Sequence, residues 1–321
     1  MPGASRYASH TLSGPTIGKP ARLRHGDVVG VVAPAGVVDA ERLAAGVAVV
    51  EQWGLSVELG AAVRARAGYL AGDDASRRAD LQRMLDTPEV RAVFCARGGY
   101  GSQRLVPDLD LTALVRGPKP IVGYSDATAL LGAALRAGVL AIHGPMVAAD
   151  LARGLARRSL EHLHALLFDP AYRWEAEVPL AIRPGRATGR LVGGCLSVLV
   201  TTLGTPWAPD TRGAILFLED VNEVPYRIDR MLTHLRQAGC LDAVAGVVFG
   251  TMAACRSWDG IAVADVVRAC FADAPYPVGF GLPAGHDPAA AGVENLALPL
   301  GAHVLLDTEA GRLAALEPAV V

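Results

Sequence analysis

The chain has 321 residues, 51% hydrophobic and 19% charged, a globular balance that excludes disorder over most of its length and is long enough for two cores. With 30 basic against 32 acidic side chains, a net charge of −2 and no long run of Lys and Arg, it offers no nucleic-acid surface. Five cysteines without C-x-x-C spacing, most of them set among apolar residues, read as free buried thiols in a reducing compartment.

Residues 1–25 are polar and rich in Gly, Pro and Ser, without the apolar centre of a signal peptide, and read as a flexible extension. The valine-rich run 27–33 predicts a buried parallel strand, and 39–53 a helix capped by Asp39. Strands follow at 55–59, 91–96, 119–124 and 139–144, with helices over 74–86 and over 126–138, the last closed by Gly138. Such alternation indicates a parallel α/β sheet, here an N-terminal domain over 26–150. Residues 151–185, an Arg-rich helix-like stretch and then irregular sequence, read as a linker. The remainder, 186–321, is expected to be a smaller, β-rich α/β domain, with helices near 195–203, 225–238 and 260–271. Its strands are expected at 214–218 and 244–249, with several more after 277. Ile228, Met231, Leu232 and Leu235 give the middle helix one apolar face, with Pro225 in its first turn and Gly239 at its end. The uncharged stretch 191–209 is interrupted by Gly, Thr and Pro, so it reads as a buried helix and turn rather than a membrane span. Without a targeting or membrane segment, the expected location is the cytoplasm.

Four segments carry candidate chemistry. In KPIVGYSDATAL a strand runs through Ser125 straight into a helix, a setting that exposes a nucleophile beside unpaired N–H groups; Ser125 or Asp126 serves equally as a simple helix cap. In CARGGYGSQRL a strand ends in a loop with Gly98, Gly99 and Gly101, able to bring backbone N–H groups to an anion or to be a plain turn. Glu219 closes an apolar strand, with Asp220, Glu223 and Asp229 nearby, as a catalytic acid or as a solvated acidic turn. His286 sits in the Gly/Pro-rich loop GLPAGHDP, free for proton transfer or simply exposed. No His, Cys and acidic set has metal-ligand spacing, so neither metal nor cofactor is expected.

Together and in this order, these segments resemble the LD-carboxypeptidase family of serine peptidases, also called muramoyltetrapeptide carboxypeptidases. The resemblance runs from about Leu23 to the C-terminus and rests on LRHGDVVGVVAPAG, CARGGYGSQRL, IVGYSDATAL, HGPM, GRLVGGCLSVL, FLEDVNEVPYRIDRMLTHL and GLPAGH followed by NLALPLG. It implies a two-domain fold, a triad of Ser125, Glu219 and His286, and an oxyanion hole from the N–H groups of Gly99 and Asp126. It also implies a homodimer and a muropeptide substrate, a peptidoglycan tetrapeptide that loses its terminal D-alanine. A related reading, similar to the microcin-immunity peptidases, is hydrolysis of aminoacyl-nucleotide conjugates. A free substrate carboxylate calls for a cation, for which Arg97, Arg104 and Arg227 are candidates. The loop DPAAAGVEN after His286 is longer than the family pattern.

Overall fold

The computed structural model describes residues 17–256 and 260–321. The chain runs β1 (Val28–Val32), α1 (Ala40–Gln52), β2 (Ser56–Leu59), α2 (Asp74–Asp86), β3 (Val90–Cys95), α3 (Thr112–Arg116), β4 (Ile121–Gly123), α4 (Thr128–Arg136) and β5 (Ala141–His143). It continues with α5 (Arg157–Phe168), β6 (Glu175–Glu177), β7 (Leu180–Arg183), β8 (Arg186–Cys195), α6 (Leu196–Thr201), β9 (Ile215–Val221) and α7 (Pro225–Gln237). β10 (Gly246–Ala253), α8 (Val263–Cys270), β11 (Val278–Phe280), β12 (Leu298–Leu300), β13 (His303–Asp307) and β14 (Arg312–Ala315) complete it.

Two sheets result. The first has six strands in the order β12-β5-β4-β3-β1-β2, parallel except for β12. Its interior strands are mostly apolar and buried, with Arg91 on β3 exposed and His143 closing β5. The order reverses between β1 and β3, so the loops leaving these strands part at their carboxyl ends, the usual place for a site in an open α/β sheet. The second has eight strands in the order β6-β14-β13-β8-β9-β10-β11-β7, with a parallel centre from β8 to β11 and antiparallel flanks.

Local signals explain most elements. The Asp39 side chain accepts from Arg42 N at 2.9 Å and starts α1. Pro225 opens α7, which buries Ile228, Leu232 and Leu235. Gly46 inside α1 is explained by packing: a Cβ there would run into the Val147 carbonyl, so α1 lies directly on the wide π-type turn Val147–Leu151.

Two expectations need correction. Residues 17–25, taken above as part of a flexible extension, are built into the fold. Gly18 pairs with Val139, Arg22 and Pro20 exchange backbone hydrogen bonds with Val321, and Leu23 is buried. Residues 1–16 of that extension lie outside the described residues. Residues 151–185 are not a linker: α5 buries Leu163, Leu166 and Leu167 in the main core, and β6 and β7 form the two edges of the second sheet. Moreover, β12, far along the chain, pairs with β5 of the first sheet, so the sheets are not divided at one point in the sequence.

Candidate active site

Ser125 lies just past β4, in a tight turn Ser125–Ala127 that leads into α4. Its φ is +61°, a left-handed conformation costly for a non-glycine residue. The turn is held by contacts around it: a Cβ on Gly98 would come within 2.9 Å of the Ser125 Cβ and Oγ, so only glycine lets the loop after β3 approach so closely. No side chain caps α4, which removes the capping role considered for Ser125 and Asp126. Instead, the buried Asp126 carboxylate accepts from Ser102 N at 2.8 Å and Gly101 N at 3.3 Å, while Ser102 Oγ donates to Asp126 O at 2.6 Å. Asp126 thus pins the glycine-rich loop beside the serine. Gly99, with φ +120°, follows the residue that touches Ser125, and a Cβ on it would come within 3.3 Å of the Gly36 backbone.

Glu219 is wholly buried on β9. Its Oε2 accepts from His286 Nδ1 at 2.7 Å and from His286 N at 3.1 Å. Burial pushes its carboxyl up, but the charge of His286, the nearness of His143 and the hydrogen bond from His286 outweigh it and bring the carboxyl down to about 2. For His286, burial disfavours the charged ring, but Glu219 overcomes it, with help from Asp220 and Asp150, and raises the imidazole above its ordinary value. Gly285 makes the approach possible: its φ is +111°, and a Cβ would fall 2.6 Å from Glu219 Oε2.

The two halves meet through Tyr124. Its ring stands edge-on to His286, centroids 4.8 Å apart. The Ser125 hydroxyl forms no hydrogen bond among the described residues, His286 included. Burial pushes the Cys95 thiol up to about 12 and Cys195 well above its ordinary value, so neither thiol competes as a nucleophile.

The three arginines are dispersed. Arg97 belongs to the glycine-rich loop and donates to Val37 O at 2.9 Å and Gly98 O at 3.2 Å. Arg104 is engaged by Asp74. Arg227, on the first turn of α7, lies 3.6 Å from Glu223. Sequence reasoning assigned no role to His143, at the end of β5 opposite Gly123 in the ladder. It is fully buried between Tyr124 and Phe217, with Nε2 3.6 Å from Glu219 Oε1, too long for a hydrogen bond but close enough for charge. The HGPM segment, a histidine closing the strand next to the one that leads into Ser125, was the available signal. Asp150 and Arg153 were missed as well. Among the described residues no group of three or more His, Cys, Asp or Glu is placed to hold a metal, and no helix is long and apolar enough to cross a membrane.

An α/β fold with a serine on a strained turn, and a buried Glu bonded to a half-buried His that packs on the serine's neighbour Tyr124, has the make-up of a hydrolase. The chain matches the LD-carboxypeptidase N-terminal domain over residues 29–144 and the LD-carboxypeptidase C-terminal domain over 188–306, and it belongs to that peptidase family. A Bacillus subtilis relative, named as a probable murein peptide carboxypeptidase, is 37% identical over 297 residues, covering 90% of this chain and 92% of that protein. The crystal structure of muramoyltetrapeptide carboxypeptidase from Oxalobacter formigenes superposes with a TM-score of 0.81 at 30% identity, covering 89% of this chain and 97% of that one. The microcin C7 self-immunity protein MccF of Escherichia coli is 25% identical over 264 residues, 72% of this chain and 77% of that protein. A structure of MccF with glutamyl sulfamoyl guanosine superposes with a TM-score of 0.84 at 20% identity over 94% of this chain and 99% of that one, a likeness of fold alone.

Proposed function

We propose that this protein is a serine-type LD-carboxypeptidase that releases the terminal D-alanine of murein tetrapeptides in cytoplasmic peptidoglycan recycling, as a homodimer. The observation that carries the reading is the 2.7 Å bond from His286 Nδ1 to the buried Glu219, on a ring packed against the neighbour of Ser125. That bond fixes the tautomer: with Nδ1–H held by Glu219, Nε2 is the free lone pair that can take the Ser125 proton. Ser125 Oγ then attacks the scissile carbonyl, and the N–H groups of Gly99 and Asp126 receive the oxyanion. The proton passes from His286 to the departing D-alanine nitrogen as the C–N bond breaks, leaving an acyl-enzyme. Water, deprotonated by His286, releases the shortened peptide. Buried beside the ring, Glu219 stabilises the imidazolium in both steps. Of the three arginines, Arg97 is favoured for the substrate carboxylate because it shares the loop that touches Ser125.

The relationship to MccF supports a second reading, in which the same groups cleave an aminoacyl-nucleotide conjugate. One assay separates them: the protein is incubated with murein tetrapeptide and, in parallel, with a glutamyl sulfamoyl nucleoside. D-alanine release with the second compound left intact is expected. Turnover of the conjugate alone would replace the first reading by the second, and turnover of neither would end both.

A further inference from the structure

Asp150 is a carboxylate with no solvent exposure, placed by the wide turn Val147–Leu151 directly after the HGPM segment. Its Oδ1 accepts from Tyr124 OH at 3.0 Å and from Arg153 Nη2 at 3.0 Å, and its Oδ2 from Met146 N at 3.0 Å. Arg153, half-buried, uses its other amino group on the carbonyls of Asp287 and Ala289, each at 3.2 Å. Those carbonyls belong to the loop that leaves His286. The same loop is docked again at Val293, which exchanges backbone hydrogen bonds with Gly154 and Ala156. A buried ion pair is a poor device for stability, because desolvation cancels much of its attraction. Here it joins two segments 134 residues apart in the chain, one bonded to Tyr124, the neighbour of Ser125, and the other leaving His286.

We propose that Asp150 and Arg153 are a positioning pair that locks the nucleophile turn, through Tyr124, to the loop carrying His286 and sets the charge around that histidine. The assignment rests on the reading of His286 as the base. Neither residue touches the reacting atoms: Asp150 acts through the Tyr124 ring, which abuts the imidazole at 4.8 Å, and Arg153 acts through backbone carbonyls. The ionisable groups around the imidazole are Glu219 and Asp220 from β9, Asp150 and Arg153 from the turn after β5, Tyr124 after β4, and Asp287 next to it. His143 lies on the far oxygen of Glu219. Glu219 dominates, and Asp150 adds to the upward pull on the ring.

The pair therefore has a signature that packing alone would not give. Removing the negative member should ease His286 toward its neutral form, and removing the positive member should do the opposite. The experiment titrates His286 by NMR in histidine-labelled full-length protein, with its signal assigned by its absence in His286→Ala, alongside pH profiles of kcat and KM for tetrapeptide. Asp150→Asn should lower the His286 midpoint by roughly half a pH unit or more, and Arg153→Met should raise it. Both should lower kcat by about tenfold to a hundredfold with KM within about threefold, since orientation rather than binding is lost. Arg153→Lys should keep the parent midpoint and recover part of kcat. If Asp150→Asn does not fold, Arg153→Met with Tyr124→Phe carries the test, the latter removing only the hydroxyl that contacts Asp150. An upward shift in Arg153→Met together with a kcat loss in Tyr124→Phe at unchanged melting temperature would support the pair. Midpoints that do not move, or that move the same way in both charge variants, would overturn it. Because the NMR midpoints need no substrate, opposite shifts in a protein that releases no D-alanine would refute the substrate reading and leave the pair standing.

Discussion

The two sides of the site are made by different means. On the Ser125 side the chain geometry is local, since Gly123, Tyr124, Ser125 and Asp126 are consecutive and the strained φ at Ser125 belongs to the turn between β4 and α4, although the turn is also held by Gly98, Ser102 and Asp150. On the acid–base side almost everything is remote: Glu219 and His286 are 67 residues apart, and the loop of His286 is anchored by Arg153, Asn295 and Gly285 rather than by regular structure. Local construction ties the Ser125 turn mainly to its own neighbours in the chain. Remote construction makes the placement of His286 depend on distant residues, so substitutions far from Glu219 should register there first.

The sharpest test of the local side is Ser125→Ala. The hydroxyl has no hydrogen-bond partner among the described residues and caps no helix, so stability should change by no more than about 1 kcal/mol. D-alanine release should fall by roughly 10⁴–10⁶. Steady-state assays beside a melting curve decide it, and turnover within tenfold of the parent would sink the nucleophile assignment. On the remote side, Glu219→Gln should fold yet lose roughly 10³–10⁴ in kcat, because an amide can hold the imidazole in the wrong tautomer. It should also move the acid limb of kcat/KM. The base must be neutral, and in the parent Glu219 holds His286 above its ordinary 6.5, so the limb should lie above that value and fall in the variant. A limb that stays in place would separate Glu219 from the base.

Much of the fold is legible in the sequence because its signals are local. The apolar run at Val28–Val32, the Asp39 cap and Pro225 each mark an element within a few residues of the observed one. What escaped has no local signal. Residues 17–25 are polar, and they are ordered by pairing with Val139, Leu167 and Val321. The same holds for the site. The Ser125 turn is readable as strand–turn–helix, whereas Glu219 and His286 are ambiguous as isolated residues and become candidates only when the whole order of segments is taken together. Nothing in the spacing of Tyr124, Asp150 and Arg153 announces that they share hydrogen bonds.

Glycines in the His286 loop sharpen the contrast further. Gly285→Ala places a Cβ 2.6 Å from Glu219 Oε2 and 2.8 Å from Thr251 Oγ1, at a φ of +111° that alanine resists. The expected cost is about 1–3 kcal/mol in stability, with a kcat loss of about tenfold or more as the imidazole is pushed from its acid. Gly292→Ala in the same loop is the control: its φ is also positive, at +67°, but nothing lies within 4 Å of the new atom. It should cost about 1 kcal/mol and leave kcat unchanged. Equal kcat losses in both would mean that loop strain, not the approach to Glu219, governs the base.

The smallest effect concerns α5, which the sequence presents as part of a linker and the structure as a wall of the core. His162 on this helix has Nε2 at 2.7 Å from Ala297 O and Nδ1 at 3.1 Å from Tyr172 OH, a bond set satisfied by a neutral ring. Burial holds its pKa down to about 4, against 6.5 ordinarily. The unfolded chain therefore takes up a proton near pH 6.5 that the folded chain refuses until about pH 4. Stability from this residue is complete above 6.5 and is lost as pH falls toward 4, by about 3 kcal/mol in all. The Glu219 carboxyl, lowered from 4.5 to about 2, loses its contribution only as pH falls below 4.5. His286, raised by its partner, gives up stability as pH rises, not as it falls. Between pH 6.5 and 4.5, therefore, neither Glu219 nor His286 takes stability away as pH falls, and the window isolates α5. Denaturant melts across that window should show a clear decline in the parent and a flatter one in His162→Gln, whose amide donates from the same place without titrating. Parallel declines would put the loss on another group, such as His164 on the same helix, whose ring burial also holds below its ordinary value, and not on His162.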